Sequence, residues 1–193
     1  MTKLNPWGNE LINDYESLFK EFGLQHVSPE LLKKLSSSKY FRRGLTFAHR
    51  DLDKFVAASE RGEPLAVMSG IKPSSEFHLG SKMTAEEIIF FQKTFGARAF
   101  YCIADFEAYA DNGLTFEQSF ENAVDNVSDL LALGLDKKNL FLYRQSTSNS
   151  VKNLAQIFSK RITLATLESL YGHQNLGLYM AVLNQLGDIL QPQ

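Results

Sequence analysis

The chain has 193 residues, of which 44% are hydrophobic and 22% charged, and its formal net charge at pH 7 is −2. This composition predicts a globular protein with a sizeable core, and it excludes a protein that binds nucleic acid through bulk positive charge. The sequence contains neither an apolar run of roughly 18 residues, as a membrane-spanning helix needs, nor a signal-peptide pattern. The single cysteine, Cys102, excludes an internal disulfide and favours a reducing, cytoplasmic location.

The first third of the chain is predicted to be helical. Apolar residues recur at helical spacing between Leu11 and Phe22, and Ser28 followed by Pro29 has the pattern of a helix cap and first turn. A further helix is expected over residues 51–61, whereas residues 40–48 show no regular pattern. We therefore expect residues 1–62 to form an N-terminal helical extension.

Strands and helices alternate in the rest of the chain. Short apolar runs at residues 64–68, 98–104 and 140–143 predict buried strands, and the intervening segments predict helices over residues 79–95 and 115–133. Helices are also expected near residues 151–158, 163–170 and 177–190. This order predicts an α/β fold with a parallel sheet, whose ligands bind at the carboxyl ends of the strands.

Two further expectations concern the segments that precede and follow the third predicted strand. Thr115 and Gln118 have the spacing of a capping box at the start of a helix. We expect the buried face of that helix to consist of Phe116, Phe120, Val124, Val127 and Leu131, and its acidic face to be solvated. The polar cluster from Gln145 to Ser150 predicts a loop.

The segment between the first predicted strand and the following helix has the features of a phosphate-binding crevice. Gly70 allows a backbone turn close to a ligand, Lys72 supplies a positive charge, and His78 lies where a helix N-terminus favours anions. Gly80 leaves space for phosphate or adenine beside the helix. The segment matches neither a Walker loop nor a dinucleotide-binding glycine fingerprint.

Residues 73–80 (PSSEFHLG) resemble the His-Ile-Gly-His signature of the class I aminoacyl-tRNA synthetases. Residues 69–74 are similar to the start of the tryptophan and tyrosine enzymes, and residues 43–53 (RGLTFAHRDLD) resemble a segment of archaeal and eukaryotic tryptophanyl-tRNA synthetases. Asn5-Pro6-Trp7 and residues 185–193 (QLGDILQPQ) fit the same group. The resemblance implies an incomplete class I Rossmann-like sheet in residues 63–193, with a helical insertion at about 113–172.

The resemblance implies that His78, Gly80 and Ser81 are catalytic residues that act on ATP, with Lys72 and Ser74 as further ATP-binding residues. Mg²⁺ would be carried with ATP, without a metal site on the protein. Ser81 stands where the family has a second histidine, so it can donate a hydrogen bond but carries no positive charge. The family's Lys-Met-Ser-Lys-Ser loop is missing, which indicates that the chain is the first part of a longer enzyme.

The amino acid would bind at the ends of the strands and at the last helix. Gln185 and Asp188 are three residues apart, which places them on one helical face, and we expect both to point inward. In related enzymes such residues contact the α-amino group and the ring donor of the substrate. Asp105 has two interpretations, a helix cap or a pocket residue. The predicted amino-acid-binding residues are Met68, Gly70, Glu107, Tyr109, Gln185 and Asp188.

The resemblance implies a tryptophan–tRNA ligase that acts on tryptophan, ATP and tRNA(Trp), forms a homodimer and has no contact with a membrane. Met68 offers no hydrogen bond to a phenol, which favours tryptophan over tyrosine. Three alternatives stay open: a tyrosine-specific enzyme, another nucleotidyltransferase with a His-x-Gly motif, and a non-catalytic fragment or paralogue. The basic stretch at residues 33–54 is either a contact for the tRNA acceptor end or ordinary surface.

Overall fold

A computed structural model describes Trp7 and residues 15–193. The chain divides into two compact units, Met1–Leu65 and Ala66–Gln193. Asn5, Pro6, Leu11 and Ile12, on which part of the sequence argument rests, lie outside the described residues. Within the described part of the chain, no helix is long and apolar enough to cross a membrane.

The first unit contains short helices and one antiparallel pair of two-residue strands. Ser28 caps a helix as predicted, because its hydroxyl oxygen accepts a hydrogen bond from the Leu31 N–H at 3.1 Å. The stretch predicted to be irregular begins with a single helical turn, which Ser38 caps. The elements are α1 (Tyr15–Phe22), β1 (Gln25–His26), α2 (Pro29–Leu35), α3 (Lys39–Arg42), β2 (Ala48–His49) and α4 (Leu52–Glu60).

The second unit alternates strands and helices as the sequence predicts. Its elements are β3 (Ala66–Ile71), α5 (Leu79–Phe95), β4 (Arg98–Ile103), α6 (Asp105–Asn112), α7 (Phe116–Ala132), β5 (Leu140–Arg144), α8 (Asn149–Ser159), α9 (Leu164–Tyr171) and α10 (Leu176–Leu190). Short 3₁₀ turns precede and follow β5. The polar cluster after β5 is therefore a 3₁₀ turn and a helix start, where the sequence predicted a loop.

The three longer strands form a parallel sheet in the order β3-β4-β5. Strand β3 extends to Ile71, so Gly70 lies inside the strand, opposite Cys102, and the turn predicted at Gly70 is wrong. A Cβ atom at Gly70 would lie 2.7 Å from the carbonyl oxygen of Cys102. The glycine is required because the two backbones approach closely, and a side chain would separate them.

The core of this unit packs helices α5 and α7 against strand β4. Its buried residues include Ala85 and Ile88 of α5, Tyr101 and Ile103 of β4, and Leu130 of α7. Helix α5 contributes residues at the i, i+3 and i+4 spacing of one helical face, Ala85, Ile88 and Ile89, and the inward positions of β4 alternate. This packing therefore holds β4 in place, and predicted site residues follow the carboxyl end of that strand.

Helix α7 begins with the predicted capping box, in which Thr115 and Gln118 each accept a hydrogen bond from the backbone N–H of the other. Its predicted buried face is wrong at three of the five positions, whereas Val127 packs against the core. Phe120, Val124 and Leu131 are exposed. The buried positions are instead Ser119, Ala123, Asn126 and Leu130.

Helix α7 is thus rotated about its axis relative to the predicted orientation, and two amide side chains explain this rotation. Asn122 donates to the Pro73 carbonyl at 3.1 Å, and Asn126 donates to the Ser75 carbonyl at 3.3 Å. These hydrogen bonds hold one face of the helix against the β3–α5 loop. The small side chains of Ser119 and Ala123 on the same side permit close packing, and the larger apolar residues are left outward.

Candidate active site

His78 is the N-cap residue of α5. Its Nδ1 accepts hydrogen bonds from the Gly80 N–H at 3.1 Å and the Ser81 N–H at 3.4 Å. Because Nδ1 is an acceptor, a neutral ring carries its proton on Nε2. The Ser81 hydroxyl lies 3.4 Å from Nε2. The three residues predicted to be catalytic are thus brought together at one helix N-terminus, with the His78 side chain exposed.

Gly80 is needed for this arrangement. A Cβ atom at this position would lie 3.1 Å from Cε1 and 3.2 Å from Nδ1 of His78, which is tighter than ordinary van der Waals contact. The absent side chain lets the imidazole lie against the first turn of α5. The ring is therefore held at the helix end where the backbone dipole favours a negative charge.

The loop that carries Lys72 and Ser74 is anchored by neighbouring helices. The Lys72 ammonium pairs with the carboxylate of Asp111, at the end of α6. The Ser74 N–H donates to the Lys72 carbonyl at 2.8 Å. Together with the two asparagines of α7, these contacts fix the loop in place. Asn122 and Asn126 were not singled out from the sequence, because an asparagine on a helix carries no local signal of a partner about 50 residues away.

Asp105 connects the carboxyl ends of β4 and β5. Its carboxylate, which is fully buried, accepts from Arg144 Nε at 3.1 Å and from the backbone N–H of Ser146 at 3.0 Å. The Ser146 hydroxyl and a second Arg144 nitrogen also contact it. The side chain makes no capping hydrogen bond to α6. Of the two interpretations of Asp105, the cap is therefore wrong, and the residue stabilises the strand ends that form the floor of the site.

Asp188 lies at the centre of a buried polar cluster. Its side chain is 2% exposed, and it accepts from the Tyr143 hydroxyl at 2.9 Å and the Gln145 amide nitrogen at 2.6 Å. The thiol of Cys102 on β4 also interacts with the carboxylate. The cluster joins α10 to the carboxyl ends of β4 and β5. Gln145 belongs to the polar cluster that the sequence predicted to be a loop, yet it is only 3% exposed.

Burial controls the proton affinities in this cluster. Desolvation raises the pKa of Asp188, although hydrogen bonds from Gln145, Tyr143 and Cys102 act in the opposite direction. Desolvation and the nearby Asp188 charge raise the pKa of the Cys102 thiol well above its ordinary range. The pKa of the Tyr143 phenol is raised for the same reasons. Cys102 and Tyr143 therefore stay protonated and act as donors, which excludes Cys102 as a thiolate nucleophile at neutral pH.

Gln185 does not share the environment of Asp188. It is exposed, whereas Asn184 and Asp188, one turn apart, are buried on α10. The expectation that both Gln185 and Asp188 point inward is wrong, because a three-residue step rotates by about 300° and leaves Gln185 at the edge of the buried face.

The remaining predicted residues of the amino-acid site are placed as follows. Met68 is half-buried in β3, and Glu107 is half-buried in the first turn of α6. Tyr109 is 57% exposed, and its ring stacks on Phe116 with centroids 5.3 Å apart. One face of the Tyr109 ring is thus covered by the first residue of α7.

Taken together, the carboxyl edge of the sheet presents two chemical features. One is a histidine-capped helix N-terminus, which suits phosphate oxygens. The other is a buried carboxylate supported by three donors, which suits a ligand N–H or O–H. Among Trp7 and residues 15–193, no three His, Cys, Asp or Glu side chains converge to hold a metal ion.

Comparison with known proteins gives this edge a family context. The family model of the class I tRNA synthetases for tryptophan and tyrosine matches residues 60–189. The chain belongs to this family. The match includes β3, the His78 helix cap, the sheet and Asp188, so the two features described above lie inside the region that defines these synthetases.

Individual synthetases are similar to almost the whole chain. A tryptophan–tRNA ligase of Aeropyrum pernix is 39% identical over 99% of this chain and 53% of its own length. One of Methanosarcina acetivorans is 38% identical over 100% of this chain and 44% of its own length. The chain thus spans about half the length of the curated relatives it matches.

Solved structures of such synthetases have the same fold. The crystal structure of the Aeropyrum pernix tryptophanyl-tRNA synthetase superposes with a TM-score of 0.84 at 38% identity, over 98% of this chain and 53% of that one. The Trypanosoma brucei enzyme, at 24% identity, has a TM-score of 0.81 over 90% of this chain and 56% of that one, which supports the fold alone. The α/β class I fold predicted from the sequence is therefore confirmed.

Proposed function

We propose that the chain is part of a tryptophan–tRNA ligase that activates tryptophan with ATP and transfers it to tRNA(Trp). The observation that carries this proposal is the buried Asp188 carboxylate at the carboxyl ends of the strands, where a class I synthetase holds its substrates. Its protein donors leave acceptor capacity for the indole N–H. The names of the Aeropyrum and Methanosarcina relatives support tryptophan as the amino acid.

The proposed chemistry requires no covalent nucleophile from the protein. A carboxylate oxygen of tryptophan attacks the α-phosphorus of ATP, the bond to the β-phosphate oxygen breaks, and pyrophosphate leaves. A hydroxyl of tRNA then attacks the aminoacyl carbonyl carbon, and AMP leaves. His78, Gly80 and Ser81 would bind and orient the phosphates, with Lys72 and Ser74 beside them and Mg²⁺ carried by ATP.

The amino acid would be bound by the residues around the strand ends. Asp188 would accept from the ring, Met68 would contact the ring face, and Glu107 and Gln185 would contact the polar end. Gly70 would line the floor of the amino-acid pocket, and Tyr109 would be a further residue of that pocket. Residues 63–193 would form the first part of the catalytic domain, with a helical insertion at about 113–172 and residues 1–62 as a helical extension, working in the cytoplasm.

The proposed ATP site predicts that a substitution of His78 weakens nucleotide binding. We expect His78→Asn to weaken binding of a non-hydrolysable ATP analogue by roughly 10- to 100-fold, because a hydrogen bond to a charged phosphate contributes about 1.5–3 kcal/mol. Asparagine still caps α5, so the free energy of unfolding should change little. Calorimetric titration measures the affinity, and urea unfolding checks the stability.

The matched control is His173→Asn, since the His173 side chain is exposed and distant in sequence from the helix cap. It should bind the analogue like the unmodified chain. If His78→Asn also binds the analogue normally, the helix cap is not an ATP site. Analogue binding that tryptophan does not strengthen would instead favour a different nucleotidyltransferase.

We also propose that the enzyme is a homodimer and that α7 contributes to its interface. The exposed apolar side chains of Phe120, Val124 and Leu131 lie along α7, and Leu142 of β5 is exposed as well. Large apolar side chains exposed in this way are typical of a protein–protein contact. Such a contact buries the side chains that the rotation of α7 leaves outward.

Sedimentation velocity tests the dimer. The unmodified chain should sediment as a dimer, and Val124→Asp should sediment as a monomer, because burying an unpaired carboxylate in the interface is costly. Leu164→Asp, at an exposed leucine of α9, is the matched control and should remain dimeric. A monomeric unmodified chain at every concentration would contradict the proposal.

A further inference from the structure

A cavity of about 400 Å³ lies on helix α10, between α6 and α8. Its apolar walls include Phe106 and Tyr109 of α6 and Met180 of α10. Neither Asp188 nor His78 lines it. The cavity is therefore separate from the two features assigned to the synthetase reaction, and its size is in the range of small-molecule sites.

Close helix contacts at each end of α10 hold this cavity open. A Cβ atom at Gly187 would lie 2.4 Å from the Val151 carbonyl oxygen, so α8 and α10 touch there. A Cβ atom at Gly177 would lie 3.1 Å from the Ala110 Cβ, so α6 and α10 touch at the other end. Asn175 also donates to the Ala110 carbonyl at 3.3 Å. With the three helices fixed at these points, the space between them is built into the fold.

Two polar side chains that can donate hydrogen bonds, Lys152 of α8 and Asn184 of α10, line the cavity. Asn184 is 7% exposed, and no residue within the described part of the chain makes a hydrogen bond to its side-chain amide. Lys152 donates to the Ser146 carbonyl at 3.2 Å, and no described carboxylate lies within ion-pair distance of its ammonium group.

We propose that this cavity binds an aromatic carboxylate. The aromatic ring would lie against Tyr109, Phe106 and Met180, where apolar surface and a sulfur–aromatic contact favour it. The carboxylate would accept hydrogen bonds from the Asn184 amide and the Lys152 ammonium, since both groups are donors and the ammonium is positively charged. The inference goes beyond the proposed function, with which it shares Tyr109, whereas Phe106, Lys152, Met180 and Asn184 have no role in that reaction.

Titration of the full chain with 2-naphthoate, followed by its fluorescence and by ¹⁵N amide shifts, tests this site. We expect saturable binding, with the shifted amides confined to α6, α8 and α10. Lys152→Met should weaken binding at least tenfold by removing the charge at nearly constant length. Ser159→Phe, which fills the cavity from its half-exposed rim, should abolish binding without unfolding the chain, as circular dichroism checks.

Lys160→Met, at the C-cap of the same helix and outside the cavity, is the matched control and should bind 2-naphthoate normally. Equal loss in Lys152→Met and Lys160→Met would overturn the proposal, because the effect would then reflect charge in general. Shifts confined to the exposed α7 residues, or displacement by tryptophan that disappears in Asp188→Asn, would also overturn it. Retention of 2-naphthoate binding when tryptophan fails to bind would uphold this site and count only against the proposed function.

Discussion

Asp188→Ala is expected to weaken tryptophan binding by roughly 10- to 100-fold, because a hydrogen bond to a charged acceptor contributes about 1.5–3 kcal/mol. The change also leaves the Tyr143 hydroxyl and the Gln145 amide of the cluster without their acceptor. Calorimetric titration with tryptophan measures the loss. Asp129→Asn, on the exposed face of α7, is the control and should bind normally.

The same carboxylate has a pH signature in stability. Burial raises the folded-state pKa of Asp188 above its ordinary value of 3.8, so the folded chain binds a proton more tightly than the unfolded chain. Its contribution to the free energy of unfolding therefore falls as pH rises from 3.8 through the folded-state pKa. Urea unfolding of the unmodified chain and of Asp188→Asn isolates this contribution as a difference. We define the difference as the free energy of unfolding of the unmodified chain minus that of Asp188→Asn. A difference that does not change with pH, or that increases as pH rises, would contradict a raised pKa of Asp188 in the folded chain.

Asp105→Ala is expected to lower the free energy of unfolding by about 3–5 kcal/mol, because it leaves Arg144 without its buried counter-charge. It also removes the acceptor for the Ser146 N–H and hydroxyl. The value should fall toward the lower end of that range, since the Arg144 side chain is partly exposed. Urea unfolding monitored by circular dichroism measures the change.

Asp111→Ala is the matched control for Asp105→Ala. Asp111 also pairs with a cation, Lys72, but the two side chains are 24% and 28% exposed. Water screens such a pair, so the loss should stay near 1 kcal/mol or below. Equal destabilisation by the two substitutions would show that Asp105 does not hold the ends of β4 and β5 together.

The features that could be predicted from the sequence are those fixed by local physics. The caps at Ser28 and Thr115 depend on contacts three residues apart, and the alternation of apolar runs with helical periods is enough to predict a parallel sheet. His78 and Gly80 were recognisable for the same reason, since a helix start and its short motif lie within four residues.

The features that escaped prediction depend on partners distant in sequence. Gln145 lies in a polar stretch that is typical of a loop, and its burial depends on a hydrogen bond to Asp188, 43 residues later in the chain. The rotation of α7 follows from Asn122 and Asn126, whose partners lie about 50 residues earlier, and it overrides the apolar pattern of that helix. Gln185 was misplaced because helical spacing alone does not determine which of two adjacent faces is buried.

Calorimetric titration of this chain with tryptophan and then with tyrosine, in the presence of a non-hydrolysable ATP analogue, is the decisive experiment on the proposed tryptophan site. We expect saturable binding of tryptophan and binding of tyrosine that is at least tenfold weaker, since Asp188 would accept from the indole N–H and Met68 offers no hydrogen bond to a phenol. Tighter binding of tyrosine would contradict the proposed specificity. Binding of neither amino acid would contradict the claim that these residues form an amino-acid site in this chain.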